Sequence, residues 1–236
     1  MDYKKYKKED NISYCFGGFP TYELLKNKPQ YVREILVHDK LEHSPQTNEI
    51  LSIAKKHNIK ITHNSKAIEK LSQKGNVFIV AVFNKYESKI DNSKNQILLV
   101  NPSDMGNLGT IIRVALGFGY NNIGIIKPCI DIFDPKVIRA SMGSIFSTNI
   151  QLFNSIEDYE KENKNHMYPF MLKASSTLQT LQNKISPHTL VFGNEAHGLD
   201  DSFLNKGTPL LIKHSNKIDS LNLSMSVGIA LYEFSK

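Results

Sequence analysis

The sequence predicts an α/β protein with two domains, and three observations support this fold class. Between Gln96 and Phe234, short apolar runs alternate with segments of helical spacing, the pattern of a parallel sheet covered by helices on both faces. Glycines and small polar residues follow several of these runs, where parallel sheets build their ligand sites. A polar, turn-rich segment at 84–95 separates an N-terminal domain, 1–90, from a C-terminal domain, 91–236.

The N-terminal domain is predicted to be a small α/β/α unit. Apolar residues recur with helical spacing at Ile50, Ile53 and Ala54, and Asn64 or Ser65 is a suitable cap for the next helix. The predicted helices are Thr21–Lys26, Thr47–His57 and Lys66–Leu71, and the predicted strands are Arg33–His38, Ile59–Thr62 and Val77–Phe83.

The C-terminal domain is predicted to continue the strand–helix alternation. We expect strands at Gln96–Val100, Ile123–Ile126, Ile150–Phe153, Tyr168–Leu172, Thr189–Phe192 and Pro209–Ile212. We expect helices at Leu108–Phe118, Pro135–Ser141, Ile156–Glu162 and Asn222–Phe234. Gly117 and Gly119 follow a helix rather than a strand, so they fit a helix C-terminus better than a dinucleotide-binding loop.

The positive charge of the chain lies in its N-terminal part. Residues 1–94 contain 17 Lys and Arg against 11 Asp and Glu, whereas residues 95–236 contain 12 of each. A basic module beside a neutral one indicates a polyanionic partner, such as RNA, that is bound mainly by the first module. An abundance of lysine on an ordinary surface remains the alternative interpretation of the charge alone.

Several classes of protein are disfavoured by composition. The longest apolar run, Val77–Phe83, is far shorter than the ~20 residues that span a bilayer. The charged N-terminus is followed by no apolar segment of the kind found in signal peptides. Cys15 and Cys129 have no metal-binding or redox spacing and are expected to be reduced thiols. We therefore expect a cytoplasmic protein with no membrane partner.

Three segments of the C-terminal domain contain candidate functional residues: Asn101–Arg113, Val191–Leu199 and Ile212–Phe234. In the first, Asn107 stands where a side-chain amide can cap a helix, and its neighbouring glycines permit close approach of a ligand. Arg113 is six residues further on, so it lies on another face of that helix. The two side chains could meet only around a ligand or through a second subunit.

The second and third segments each add polar groups at the end of a strand. Glu195 lies in a loop between Gly193 and Gly198, where an unpartnered carboxylate is costly. It could pair with Arg113, hold a loop amide or orient a substrate, and a solvated loop acid is the plain alternative. Ser220 and Asn222 open the last helix, where each would ordinarily be a cap.

The order and content of the three segments resemble the SpoU (TrmH-type) family of RNA ribose 2′-O-methyltransferases, in the SPOUT superfamily, over roughly residues 95–236. The resemblance implies S-adenosyl-L-methionine as cofactor, ribosomal or transfer RNA as partner, and a homodimer. It also implies a deep trefoil knot, a topology otherwise nearly absent from proteins. The N-terminal pattern is similar to the substrate-binding domain of such enzymes.

The resemblance also assigns roles to individual residues. It implies that Arg113 activates the ribose hydroxyl. It also implies supporting catalytic roles for a group of polar residues: Asn107, Glu195, Ser220 and Asn222. It implies that the cofactor is bound by Gly193, Ile212 and Leu221, with no metal. The segment from Arg139 to Gly143 also resembles a family segment, and Arg139 could contact a phosphate or ribose or form a structural ion pair.

Only three arginines accompany 26 lysines in this chain, so Arg113 and Arg139 are candidates for tasks that need a planar, permanently charged group. The competing interpretation is a non-catalytic RNA-binding or ribosome-assembly protein on the same scaffold. The joint presence of Arg113, Glu195 and Asn222 favours the enzyme, since a scaffold alone has no chemical need for all three.

Overall fold

The computed structural model describes residues 3–72 and 75–236. The elements up to residue 84 are β1 (Ile12–Phe16), α1 (Gly18–Asn27), β2 (Val32–Val37), α2 (Pro45–Lys56), β3 (Lys60–His63), α3 (Ser65–Leu71) and β4 (Ile79–Asn84). The elements that follow are β5 (Gln96–Val100), α4 (Met105–Gly117), β6 (Asn122–Ile126), α5 (Pro135–Ala140), β7 (Asn149–Phe153), α6 (Ile156–Glu162), β8 (His166–Pro169), β9 (Ser176–Thr177), β10 (His188–Phe192), β11 (Leu210–Leu211) and α7 (Leu223–Phe234).

The chain folds into two compact units that do not follow the sequence in two blocks. The first unit comprises Met1–Tyr86 with Asp131–Ser147, and the second comprises Glu87–Ile130 with Thr148–Lys236. The inserted segment Asp131–Ser147 contains α5 and Arg139. From sequence we assigned it to the C-terminal domain, whereas in the structure it packs with the first unit.

The first unit is built on a four-stranded sheet of order β1-β4-β2-β3. β4 is antiparallel to β1 and β2, and β2 is parallel to β3. One face of the sheet buries Leu36, Val80 and Val82 against Ile68 of α3, while α1 packs with α2. The predicted helices and strands are present with small shifts at their ends, and β1 is a strand that the sequence pattern did not indicate.

The segment Asp131–Ser147 is attached to the first unit by buried polar and aromatic contacts. Ser13 of β1 donates a hydrogen bond from Oγ to the carbonyl oxygen of Phe133 at 2.6 Å. Asp131 pairs with Lys85, with 2.7 Å between Nζ and Oδ2. The Phe133 ring meets the Phe83 ring edge to face, with 5.8 Å between centroids. The core of the first unit therefore includes side chains from both parts of the sequence.

The second unit contains the predicted parallel sheet. Its five strands have the order β7-β6-β5-β10-β8, and all four neighbouring pairs are parallel. β6 and β10 are buried along their whole length, as expected for strands covered on both faces. The predicted strand Pro209–Ile212 is only the two-residue β11, which pairs with β9 in a separate small sheet.

Across residues 3–72 and 75–236, no helix is both long enough and apolar enough to cross a bilayer. The longest helix in this part of the chain, α4, has 13 residues, well below the ~20 that a bilayer requires.

The second unit buries a histidine at the start of β10. His188 is 3% exposed, and its Nδ1 lies 2.8 Å from the carbonyl oxygen of Ile185, to which it must donate. Its Nε2 is 2.6 Å from the Tyr120 hydroxyl, which donates a hydrogen bond to it when the imidazole is neutral. These contacts satisfy a neutral imidazole without a counter-ion. Burial is the main cause that lowers the pKa of His188 below 6.5, with the neighbouring His166 and Lys184 charges adding to it.

Because the pKa of His188 is lowered in the folded protein, we expect the protein to lose stability in acid. The unfolded chain protonates His188 near pH 6.5, whereas the folded chain does so only at lower pH. The unfolded state therefore gains protons first, and stability falls as pH drops below that value, by at most about 1.4 kcal/mol per pH unit for one proton. Urea unfolding of wild type and His188→Gln across this range measures the effect.

The variant is expected to have a shallower dependence of unfolding free energy on pH than the wild type. Titration of the other histidines is common to both proteins, so the difference between the two curves isolates His188. Parallel curves below pH 6.5 would contradict this prediction, because they would show that His188 takes up its proton over the same pH range in the folded and unfolded states.

Candidate active site

A cavity of about 480 Å³ lies in the second unit at the carboxyl ends of β5, β8 and β10. This volume is in the usual range for small-molecule sites. The three sequence segments meet here, and the cavity lining includes seven of the eight predicted site residues: Asn107, Gly193, Glu195, Ile212, Ser220, Leu221 and Asn222. Arg113 is the eighth and does not line it.

The Glu195 carboxylate joins the loop after β10 to the start of α4. Its Oε2 accepts hydrogen bonds from the Ser103 hydroxyl at 2.8 Å and the Ser103 backbone N–H at 3.1 Å. Its Oε1 accepts from the Asp104 backbone N–H and from Nδ2 of Asn107, both at 3.3 Å. Of the roles open from sequence, holding loop amides is the one observed, and no pairing with Arg113 occurs in the described residues.

These hydrogen bonds also determine the charge of Glu195. Partial burial acts to raise its pKa, because water solvates the carboxylate less well there. The hydrogen bonds from the Ser103 hydroxyl and from backbone N–H groups oppose burial and outweigh it, with a smaller contribution from Asn107. The pKa of Glu195 is lowered below its ordinary value as a result, so the side chain is an anion at neutral pH with its acceptor positions engaged.

Asn107 links two helices instead of capping one. The cap of α4 is Asp104, whose Oδ1 accepts a hydrogen bond from the Asn107 backbone N–H at 2.7 Å. The cap role expected for Asn107 was therefore wrong, because the helix begins three residues earlier than predicted, at Met105. Its side chain is free to accept a hydrogen bond from Nδ2 of Asn222 at 3.1 Å. Asn222 is itself the cap of α7, as expected, and accepts from the Ser224 backbone N–H.

Two further residues in this cluster were not singled out from sequence. Ser103 holds Glu195, and Asn194 donates from Nδ2 to the carbonyl oxygen of Asn101 at 2.7 Å. Asn101 has a positive φ of 53°, a conformation in which asparagine is enriched. Both Ser103 and Asn194 lie inside the segments identified from sequence, but nothing local indicates which polar residue of a loop faces the neighbouring loop.

Gly193 is required by contact with its own loop. A Cβ atom built there would lie 2.1 Å from the carbonyl carbon of Gly198 and 2.4 Å from the backbone nitrogen of Leu199. The Asn194 carbonyl accepts a hydrogen bond from the Gly198 N–H at 2.8 Å, which closes the loop. The sequence led us to expect a ligand close to Gly193. In the structure, the backbone of Gly198 and Leu199 is already close to it.

The cavity also has an apolar part and a charged rim. The Phe170 and Phe192 rings stack with 4.6 Å between centroids and 4° between planes, and Leu221 lines the same cavity. At the rim, Lys173 Nζ contacts both carboxylate oxygens of Asp201 at 2.8 and 2.7 Å. Both side chains are well exposed, so this pair contributes little to stability.

The two arginines selected from sequence lie outside the cavity. Arg113 is exposed on α4; within residues 3–72 and 75–236, its side chain makes no hydrogen bond or ion pair. Arg139 is exposed on α5 in the first unit. The structural ion pair that was one interpretation of Arg139 is not found among the described residues. The same part of the chain contains no group of three or more His, Cys, Asp or Glu residues arranged to hold a metal.

Comparison with solved structures defines the class of fold. The crystal structure of an AdoMet-bound rRNA methyltransferase from Sinorhizobium meliloti matches with a TM-score of 0.81. The match covers 94% of this chain and 86% of that chain at 24% sequence identity. At this level of identity the likeness shows that the two chains share a fold.

Comparison of sequences identifies the family. The sequence pattern of the SpoU rRNA methylase family matches residues 94–232, more than half of the chain, and the chain belongs to this family. A second pattern, for RNA 2′-O ribose methyltransferase substrate binding, matches residues 14–88.

Two curated relatives are similar over part of their length. An uncharacterised tRNA/rRNA methyltransferase of Synechocystis is 31% identical over 140 residues, which are 58% of this chain and 51% of the relative. The 23S rRNA (guanosine(2553)-2′-O)-methyltransferase of Bacillus subtilis is 29% identical over 157 residues, 65% of this chain and 63% of the relative. The chain thus spans between half and two thirds of the length of these two relatives.

The tight packing of this loop predicts that even a methyl group at Gly193 will destabilise the protein. Gly193→Ala places a methyl group inside the backbone of Gly198, so the loop must move. We expect the free energy of unfolding to fall by roughly 1–3 kcal/mol or more, measured by urea denaturation.

Gly117→Ala is the matched control, because a Cβ there meets no atom within 4 Å. It is expected to be neutral or to stabilise by about 0.5 kcal/mol, through loss of freedom in the unfolded chain. Equal stability of the two variants would contradict the packing argument.

Proposed function

We propose that this protein is an S-adenosyl-L-methionine-dependent RNA ribose 2′-O-methyltransferase that acts on ribosomal or transfer RNA. Membership of the SpoU family and the names of the relatives support the reaction and the substrate class. The observation that carries the proposal is a series of hydrogen-bonded side chains, Glu195–Asn107–Asn222, that lines a cavity large enough for a nucleoside cofactor. A scaffold protein would have no need to align these groups there.

The residues of the cavity fit the proposed cofactor. The loops at Gly193, Ile212 and Leu221 present backbone N–H and C=O groups that can recognise an adenine edge, and apolar side chains can cover its face. When bound, the cofactor supplies a methyl group on a sulfonium, which is already activated for transfer. The protein must then align the ribose oxygen in line with that methyl group and favour loss of its proton.

The geometry argues for a positioning role of Glu195. A general base must accept a proton, but the carboxylate already accepts from Ser103, Asp104 and Asn107, and its pKa is lowered. Glu195 therefore orders the loops. The exposed Ser220 hydroxyl and the second N–H of the Asn222 amide, the one that is not donated to Asn107, are available to hydrogen-bond the ribose. Arg113 would stabilise negative charge on the 2′-oxygen as it develops.

This role for Arg113 requires a second subunit, since Arg113 lies outside the cavity of its own chain. Helix α7 carries an exposed apolar stripe of Met225, Ile229 and Tyr232, which are 61%, 37% and 58% exposed. The spacing puts the three on one helix face, and α7 packs against α4, the helix of Arg113. We infer a homodimer in which this stripe is covered and Arg113 approaches the partner's cavity.

We also propose that the chain forms the trefoil knot implied by the family resemblance, and that the protein is located in the cytoplasm.

The dimer can be tested on the apolar stripe. Ile229→Glu places a charge in the proposed interface and is expected to convert a dimer into a monomer, because a buried unpaired carboxylate is costly. Light scattering measures the mass, and methyl transfer should be lost with the dimer.

Leu152→Glu is the control for this variant. Leu152 is 40% exposed on the edge strand β7, away from α7, and its replacement should leave the mass unchanged. A wild-type protein that is monomeric and active would refute the shared site.

The catalytic role of Arg113 can be tested by its replacement with lysine. An ammonium offers charge without the planar pair of donors that a guanidinium directs at two acceptors. Arg113→Lys should retain fold, dimer and cofactor binding but slow methyl transfer by roughly 100-fold or more. The assay is single-turnover transfer of labelled methyl groups to RNA from cells that lack this gene.

Arg33→Lys is the matched control, because Arg33 is an exposed arginine of β2 in the first unit. It should transfer methyl groups at the wild-type rate. A wild-type rate for Arg113→Lys would show that Arg113 contributes only generic charge.

A further inference from the structure

Among the described residues of the first unit, few large apolar side chains are exposed, and they belong to two segments that contact each other. Among its residues that the structure describes, the large hydrophobic side chains that are exposed are Phe19, at 46%, and Met142, at 36%. Phe19 lies in the first turn of α1, and Met142 follows α5 in the inserted segment. The remaining large apolar side chains of this unit contribute to its interior or are half-buried.

Backbone packing brings the segments that contain these two residues into contact. A Cβ atom on Gly143 would lie 2.9 Å from Cα of Pro20 and 2.9 Å from Cβ of Glu23. Gly143 therefore touches α1 directly, and its positive φ of 80° also favours glycine. Phe19 and Met142 are the chain neighbours of Pro20 and Gly143. Because consecutive Cα atoms are ~3.8 Å apart, their Cα atoms lie within about 12 Å of each other.

The backbone at Met142 is strained and is hydrogen-bonded to the backbone of Arg139. Met142 has a positive φ of 51°, an unfavourable conformation for a residue with a long side chain. Its N–H donates to the carbonyl oxygen of Arg139 at 3.0 Å. Arg139 is exposed, and within the described residues its guanidinium has no carboxylate partner. Glu23, an acidic neighbour on α1, is engaged by Nδ2 of Asn27 at 3.2 Å.

The charge of the whole unit indicates the class of partner. Over residues 1–86 and 131–147 the sequence contains 17 Lys and Arg against 11 Asp and Glu, whereas the second unit contains 12 of each. An apolar pair on a surface with net positive charge is complementary to an anion that also presents flat apolar faces. Unpaired nucleotides have both properties, while a duplex keeps its base faces stacked inside.

We propose that Phe19, Met142 and Arg139 form a binding surface for unpaired nucleotides of the RNA substrate. A base stacks on the Phe19 ring and packs on Met142, and Arg139 holds an adjacent phosphate. This inference rests on the proposed function, because it names the form in which the first unit receives the RNA. It selects a loop or bulge over a continuous duplex as the site that this unit recognises.

The test compares two RNA probes on the full-length protein. One is a fluorescein-labelled hairpin with an unpaired loop, and the other is the duplex of its stem alone. Wild type should bind the hairpin more tightly, by fluorescence anisotropy. Phe19→Ala should weaken hairpin binding roughly tenfold, the usual effect of removing an aromatic stacking partner, and leave duplex binding unchanged. Phe19→Tyr keeps the ring and should retain the affinity.

Further variants separate stacking from charge and from misfolding. Arg139→Gln should weaken hairpin binding and reduce its dependence on salt, because one phosphate contact is lost. Gly143→Ala forces the inserted segment away from Pro20 and should reduce hairpin affinity even though all three binding side chains remain. Leu152→Ala removes an exposed apolar side chain of the second unit and should bind both probes as wild type does.

The outcomes also distinguish this inference from the proposed function. Equal hairpin affinity of wild type, Phe19→Ala and Arg139→Gln would overturn the surface, including the case in which it binds another protein instead. Calorimetry with S-adenosyl-L-methionine reports on the second unit independently. Cofactor binding with no effect of Phe19→Ala on hairpin affinity would reject only the binding surface, whereas hairpin binding without cofactor binding would reject only the methyltransferase.

Discussion

The arrangement of the site depends on one carboxylate. Glu195 reaches from the loop after β10 to two backbone N–H groups at the start of α4, where the partial positive charge of a helix N-terminus favours an anion. The same carboxylate accepts from Asn107, which in turn holds Asn222 at the start of α7. Three segments that are distant in sequence are thereby aligned around one cavity. Removal of this charge would leave several donors without an acceptor, which is more costly than the loss of a single hydrogen bond.

The secondary structure of the second unit was largely predictable because burial leaves a local pattern in the sequence. Strands such as β5 and β6 are short apolar runs, and the strand–helix alternation was enough to predict a parallel sheet. The strand β1 was missed, because its Ser13 is buried only through a hydrogen bond to Phe133, more than a hundred residues away. The two-residue β11 is a second case, since its pairing with β9 depends on tertiary contacts.

The sequence indicated which segments meet around the cavity, but it did not indicate the contacts that their side chains make. Spacing showed that Arg113 and Asn107 lie on different faces of a helix, and the structure keeps Arg113 outside the cavity. Spacing did not show that α4 begins at Met105, which moves the cap from Asn107 to Asp104. For Glu195 several partners were compatible with the sequence, because a carboxylate in a glycine-bounded loop can turn towards any nearby donor. Such choices are made by long-range geometry.

The insertion of Asp131–Ser147 into the first unit has a consequence for synthesis of the chain. Because Phe133 packs against Phe83 and Ser13 donates to the Phe133 carbonyl, this unit cannot complete its interior when residue 86 has left the ribosome. It must wait for the polypeptide to pass residue 147, by which time β5, α4 and β6 have also emerged. The first unit can therefore be completed only after part of the second has been synthesised, and neither unit could be transplanted into another protein as a single uninterrupted segment.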